Sequence, residues 1–223
     1  MEQYLVKIKS IKYITHDVLK VVTEKPPEFA YTPGQATEIS INRNSWRDEK
    51  RPFTFTSLPH NSYLEFTIKT YPSHKGVTNE LLKLKENDEL ILHDIFGTIL
   101  YKAEGIFIAG GVGVTPFISI FRDLSMKKGI GNNKLIFANK TKEDIICMKE
   151  FETLLGKNFI NILSDENTKE HAHGYIAEKF LKEYIDNSVQ NVYVCGPPPM
   201  MDAVENILLN LKVDEKIIIK EEF

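Results

Sequence analysis

The stretch Phe107-Ile108-Ala109-Gly110-Gly111-Val112-Gly113-Val114-Thr115-Pro116-Phe117 constrains this chain most, because its hydrophobic period changes there across a few glycines. Gly105 to Ala109 is a short apolar run of the kind that forms a buried strand. From Pro116 to Leu124, Phe117, Ile120, Phe121 and Leu124 recur at helical spacing. Thr115 is placed to act as N-cap and Pro116 as first helical residue, where its missing N–H costs nothing. The intervening turn is nearly all backbone. Its glycines permit positive φ and close approach of another molecule, and a helix start favours an anion by about 0.3–1 kcal/mol. A dinucleotide pyrophosphate suits Gly111, Gly113, Val114 and Thr115. The motif is a variant, since Pro116 stands where the dinucleotide fingerprint has its third glycine. Locally, a tight turn without a ligand is the lesser of the two readings but stays open, so the rest of the chain must decide.

The 223 residues are long enough for one large or two small cores, and two domains are expected. The 28 basic and 31 acidic side chains leave a net charge of −3, with no basic surplus in either half, which argues against nucleic-acid binding. Two cysteines, Cys147 and Cys195, are too few for a disulfide framework or an iron–sulfur cluster. Electron chemistry here would need an organic cofactor, and no metal centre is expected. The alternating start from Tyr4 to Lys9 lacks the layout of a signal peptide, and no apolar run is long enough for a membrane span. These features point to a cytoplasmic protein without a membrane partner.

Two grammars divide the chain. Tyr4–Ile8, Val18–Val22, Ala36–Ile41, Pro52–Thr56, Tyr63–Lys69 and Glu89–Leu92 read as short strands separated by turn signals such as Pro33-Gly34 and Asn87-Asp88. A six-stranded antiparallel β-barrel over residues 1–101 follows. One helix interrupts it, with Thr78 as cap after Gly76; it either plugs the barrel or offers a second anion site. Residues 102–223 alternate strand and helix. Strands at 105–109, 134–138, 159–163, 191–195 and 216–220, with helices near 116–124, 144–155, 177–184 and 200–211, predict a doubly wound five-stranded parallel sheet. Such sheets bind ligands beyond the carboxyl ends of their strands, where Asn139, Ser164, Asp165, Cys195, Gly196 and Pro197 fall.

With Arg51-Pro52-Phe53-Thr54 in the first half, and Gly111-Val112-Gly113-Val114-Thr115-Pro116 and Cys195-Gly196-Pro197-Pro198-Pro199-Met200 in the second, the whole chain resembles the ferredoxin–NAD(P) reductase family. The resemblance implies that Arg51 pairs with a flavin phosphate, Phe53 lies against the isoalloxazine ring and Thr54 hydrogen-bonds near its N5. These roles suit a guanidinium fork, a flat ring and a short hydroxyl. Phe53 stands where the family usually has tyrosine. Gly76, Val77 and Thr78 resemble a second flavin-phosphate site, and the backbone of Thr67, Ile68 and Lys69 the strand that follows the flavin's ribityl chain; the side chain of Lys69 itself reads as solvated. Thr115 and Cys195 are placed near the point of hydride transfer, and Glu221 and Phe223 match a terminal aromatic that covers the flavin with a glutamate two residues before it.

The resemblance also implies electron flow from NAD(P)H through bound flavin to a small redox protein such as a flavodoxin or ferredoxin. Reduction of free flavin or another small acceptor is the alternative enzyme reading, and a nucleotide-sensing accessory subunit the non-enzymatic one. FAD is expected over FMN, although the first motif fits either. Ser164-Asp165 stands where NADPH-dependent relatives tend to have serine then arginine. A carboxylate there repels a 2′-phosphate and can accept bonds from ribose hydroxyls, so NADH is expected over NADPH, with Lys140 and Lys142 weighing the other way.

Overall fold

A computed structural model of the chain describes residues 3–71, 73–186 and 189–221. Its first half is built from β1 (Tyr4–Tyr13), β2 (Val18–Glu24), β3 (Ala36–Ile41), β4 (Arg51–Thr54), β5 (Tyr63–Lys69) and β6 (Glu89–Phe96). They form an antiparallel sheet in the order β4-β3-β6-β1-β2-β5. The sheet curls until its two edges meet. A bridge joins Phe55 to Phe66, and the Thr56 amide donates to the Glu65 carbonyl at 2.8 Å. Register shifts in β1 between Ile8 and Ser10 and in β3 between Thr37 and Ile39 supply the local bends that closure needs. Inside lie Val6, Ile8, Val21, Ile39, Ile41, Phe55, Leu64, Phe66, Leu90 and Leu92, the alternate residues of each strand.

The helix α1 (Val77–Glu80) and the 3₁₀ turn Leu81–Lys83 that follows it bury Val77 and Leu81 in that same core. The expectation that Thr78 caps this helix is corrected. Gly76 occupies the N-cap position and no side chain caps it, because the helix is seated by its apolar residues.

The second half carries β7 (Gly105–Gly110), β8 (Lys134–Asn139), β9 (Phe159–Leu163), β10 (Ala172–His173), β11 (Asn191–Cys195) and β12 (Ile218–Lys220), all parallel, in the order β10-β9-β8-β7-β11-β12. Six strands replace the expected five. The extra one, β10, has two residues, too short to leave a periodic trace in the sequence. Helices α2 (Thr115–Met126) and α3 (Met148–Leu155) cover one face, while α4 (Glu178–Leu181) and α5 (Pro198–Asn210) cover the other. Alternation along the strands sorts the two cores. Phe107, Ala109, Phe137 and Tyr193 pack under α2 and α3, and Ile106, Ile108, Ile136, Val192 and Val194 under α4 and α5.

Several boundaries differ from expectation. Thr115 is inside α2 and not its N-cap, because a 3₁₀ turn, Gly111–Val114, runs directly into the helix; Pro116 still falls in its first turn. The helix expected from residue 144 starts at Met148, after a separate 3₁₀ turn, Lys142–Asp144, closed by reciprocal Thr141 and Asp144 bonds. The last strand is shorter than expected, since Glu215–Ile217 form a 3₁₀ turn. The strand order reverses beside β7, so the glycine turn after β7 stands at the switch point of the sheet, facing the barrel's β4 and β5.

Candidate functional site

Between the two sheets lies a cavity of about 1150 Å³. That exceeds the roughly 300–1,000 Å³ usual for a pocket holding one small ligand. Its barrel wall is β4 and the end of β5: Arg51, Pro52, Phe53, Thr54, Thr67, Ile68 and Lys69, with Tyr71 and Thr78 beyond them. The opposite wall is the carboxyl edge of the parallel sheet. Gly110, Gly111, Val112, Gly113 and Thr115 come from the end of β7, Asn139 and Lys140 from β8, Ser164 and Asp165 from β9, and Cys195 to Met200 from β11. Glu221, following β12, also lines it. Residues that the sequence placed in separate motifs thus meet in one space.

Local rules explain how each wall is built. β4 pairs with β3 from Arg51↔Ile39 to Thr54↔Ala36, and its other side is open but for the Phe55 bridge. Pro52 is tolerated on such an edge because no ladder bond is required of it. Arg51 is half exposed, with Nη1 donating to the Lys50 carbonyl at 2.6 Å and Nη2 lying 3.5 Å from Glu49. Lys69 is drawn to Asp17, just before the neighbouring strand β2, at 2.7 Å, so its side chain is ion-paired and not simply solvated.

The sheet-edge wall is made of interlocked turns. A Cβ on Gly113 would run into the Cys195 carbonyl and lie 2.6 Å from the Gly196 Cα. Gly110 and Gly196 are both covered by Met200, whose methyl would stand 3.2 Å and 2.6 Å from added Cβ atoms. Gly111 differs from these. Its φ is +51°, and the space its Cβ would fill is open, so another molecule can approach the main chain there.

Electrostatics at this edge are subdued. Cys195 is buried, and burial, reinforced by the charge of Glu221, pushes its thiol up to about 12. It is therefore a neutral, polarizable surface and not a thiolate. Burial also raises the Glu221 carboxyl above its ordinary value. The Ser164 hydroxyl donates to Asp165 at 2.6 Å, while the Ser164 and Asp165 amides donate to the Asn139 and Lys140 carbonyls. Asn139 is only 9% exposed, yet neither atom of its side-chain amide has a hydrogen-bond partner among the described residues.

That orphaned amide tests whether the residues fit a nucleotide. A buried amide without a partner costs about 1–3 kcal/mol, and a polar ligand in the cavity would relieve it. With open backbone at Gly111, a guanidinium at Arg51 and mostly apolar lining elsewhere, the donor set suits phosphates and flat rings.

Most expected site residues line this cavity. Val77 and Val114 do not, being buried in the two cores, and Gly76 lies outside the lining. Phe223 lies outside the described residues. Sequence reasoning missed Tyr71, stacked on His74 at 5.4 Å, and Tyr175, which is 82% exposed beside Gly174. Both are loop aromatics, and for Tyr175 an aromatic directly after a glycine was the available signal. At the rim, His16, Asp17 and Asp144 bring three side-chain ligand atoms within 4.8 Å of one another; Asp17 is engaged with Lys69, and Asp144 with Thr141.

Comparison with known proteins bears on this geometry. Residues 3–123 match the FAD-binding domain family, and residues 107–206 match the oxidoreductase NAD-binding domain family. The chain is 27% identical to NADH-cytochrome b5 reductase 2 of Mycosarcoma maydis, over 88% of this chain and 62% of that protein. It is 25% identical to the flavodoxin/ferredoxin–NADP reductase of Buchnera aphidicola, over 92% and 90% of the two chains. Its fold superposes on the ferredoxin NADP⁺ reductase of Neisseria gonorrhoeae, solved with bound FAD and NADP, with a TM-score of 0.86 and 17% identity, covering 99% and 98% of the two chains. Against several other curated relatives the chain spans about three fifths of their length. No helix among the described residues is long and apolar enough to cross a membrane.

Proposed function

Since the chain belongs to the ferredoxin–NAD(P) reductase family, with FAD-binding and NAD-binding regions, we propose that it oxidises NAD(P)H and delivers the electrons to a separate small redox protein such as a flavodoxin or ferredoxin. One observation carries the reading. Arg51–Thr54 on the barrel and Gly111–Gly113 and Thr115 with Cys195–Met200 on the sheet edge are opposite walls of one cavity large enough for two ligands. When bound, FAD would take a hydride from the reduced nicotinamide and release electrons singly to the acceptor.

Residues 1–101 are then the flavin-binding domain and 102–223 the nucleotide-binding domain, working in the cytoplasm. Arg51 holds a flavin phosphate through its guanidinium fork, Phe53 supports the ring, and the Thr54 hydroxyl meets a ring nitrogen. The Gly111–Val114 backbone takes the nicotinamide nucleotide's pyrophosphate, and Asn139 supplies its amide to the same molecule. Thr115 and the neutral Cys195 flank the reacting rings, and Glu221 closes the cavity. No general acid or base is needed, so the residues contribute by holding two rings in contact while excluding water. Asp165 disfavours a 2′-phosphate, which makes NADH the preferred donor.

The test is the visible spectrum of the purified protein, with FAD offered if none is carried, before and after anaerobic NADH. A flavin spectrum bleached by NADH, faster than by NADPH, is expected. A colourless protein that takes up no flavin would end the proposal, and faster bleaching by NADPH would overturn the role given to Asp165.

A further inference from the structure

Helix α2 has two attachments that belong to different tasks. Its first residue, Thr115, lies in the cavity wall, and about two turns further on Arg122 leaves the helix toward the barrel. Arg122 Nη1 donates to the Thr56 carbonyl at 2.7 Å and to Glu65 Oε1 at 2.6 Å. Its Nε and Nη2 grip both oxygens of Glu150, on α3, at 2.6 and 2.8 Å. Glu65 is nearly fully buried, accepts from the Thr56 hydroxyl at 3.0 Å, and pairs through its other oxygen with Lys20 at 2.7 Å. One guanidinium therefore joins β5, the residue two after β4, α2 and α3.

The joined positions are those that matter for the cavity. Thr56 is two residues beyond Thr54, and Glu65 two before Thr67, so each contact sits one strand period from a wall residue. The Thr67 hydroxyl also donates to that of Thr56 at 3.4 Å. On the same side of the helix, three residues earlier, the Ser119 hydroxyl accepts the Gly34 amide at 3.0 Å. Planar five-donor geometry makes Arg122 directional, which a lysine at that position would not be.

We propose that Arg122 is a positioning residue. Its fork fixes the offset of α2, and with it the Thr115 turn, against the strands bearing Thr54 and Thr67, and so sets how the two rings are held together. The inference rests on the reductase reading above. It does not depend on Arg122 touching a ligand, and Arg122 is absent from the lining of the main cavity.

The test uses the full chain. Arg122→Met alone would leave Glu65 buried with half of its compensation, so the double variant Arg122→Met/Glu65→Gln removes the clamp without stranding a buried charge, since Lys20 and Glu150, which lose these partners, reach solvent. Arg43→Met is the control, because Arg43 pairs with Glu80 and Asp88 entirely within the barrel. Stopped-flow reduction of the FAD-loaded double variant by saturating NADH should slow about 10- to 100-fold while NADH affinity changes by less than about threefold, since a misplacement near 1 Å can cost that much rate. Arg122→Lys should fall between the double variant and wild type. In flavin-free protein, amide exchange at Gly34 and Thr56 should accelerate in the double variant, while Tyr193 and Phe66, inside the sheets, stay protected.

Wild-type reduction rate in the double variant overturns the proposal, as does unchanged exchange at Gly34 and Thr56. An equal slowing in Arg43→Met overturns it too, because the effect would then be one of general stability. These failures differ from failure of the reductase reading itself, in which the wild-type protein would bind no flavin or not be reduced.

Discussion

The two walls of the cavity are made by different means. On the sheet edge, shape is set by turns packed on one another: Gly113 under the Cys195 carbonyl, backbone on backbone, and Gly110 and Gly196 under the Met200 side chain. On the barrel, shape is set by side chains that already have local partners, Arg51 with Glu49 and Lys69 with Asp17. The Gly113 turn is rigid because backbone leaves it no room, and Arg51 can rearrange because its contact with Glu49 is exposed and weak. The contrast extends to the two glycine-led helix starts. Gly113 is packed solid, whereas Gly76 has no atom within 4 Å of where a Cβ would stand.

This comparison can be broken in four ways. The largest effect should come from Gly113→Ala. Its methyl would meet backbone that cannot swing away, so a loss of about 1–3 kcal/mol or more in denaturant unfolding is expected, with NADH-dependent reduction abolished. Next is Arg51→Ala, on the pliable wall. Flavin affinity by fluorescence titration should fall by roughly 1.5–3 kcal/mol, the worth of a charged hydrogen bond, with the melting temperature unmoved.

The third concerns the joint between the walls. Burial raises the carboxyl of Glu65, but the Arg122 charge and the Lys20 hydrogen bond outweigh it, so its folded pKa is lowered from 4.5. A depressed folded pKa means that the unfolded chain takes up the proton first as pH drops. The stability from this carboxylate is then complete above pH 4.5 and lost progressively below it. Melting temperatures between pH 7 and pH 3 should fall more steeply for wild type than for Glu65→Gln; parallel curves would remove Glu65 as a contributor. The smallest effect should be that of Gly76→Ala. With φ of −114° and open space, it should stay within about ±0.5 kcal/mol of wild type and bind flavin normally. A large loss of flavin affinity there would support the second anion site expected from the sequence.

Legibility followed the range of the forces involved. The six barrel strands and five of the six parallel strands were visible because alternation and apolar runs report which face each residue buries. β10 and the 3₁₀ turns at 111–114 and 142–144 were not. A two-residue strand has no period, and a 3₁₀ turn running into a helix reads as part of that helix. Thr115 and Thr78 were mistaken for caps for a related reason. Capping residues are common at helix starts, but the preceding residue here already has helical geometry in one case, and apolar packing seats the helix in the other.

The sequence by itself determined the two architectures, the glycine turn at the switch point, and the set of residues able to meet phosphates and flat rings, because these depend on local period and side-chain chemistry. Tertiary structure alone decided that both motif sets face one cavity, that Val77 and Val114 turn away into the cores, that the Asn139 amide is left without a partner among the described residues, and that Arg122 ties α2 to the barrel. Such facts join residues tens of positions apart, and a contact across that separation is fixed by how two sheets pack, not by any pattern along the chain.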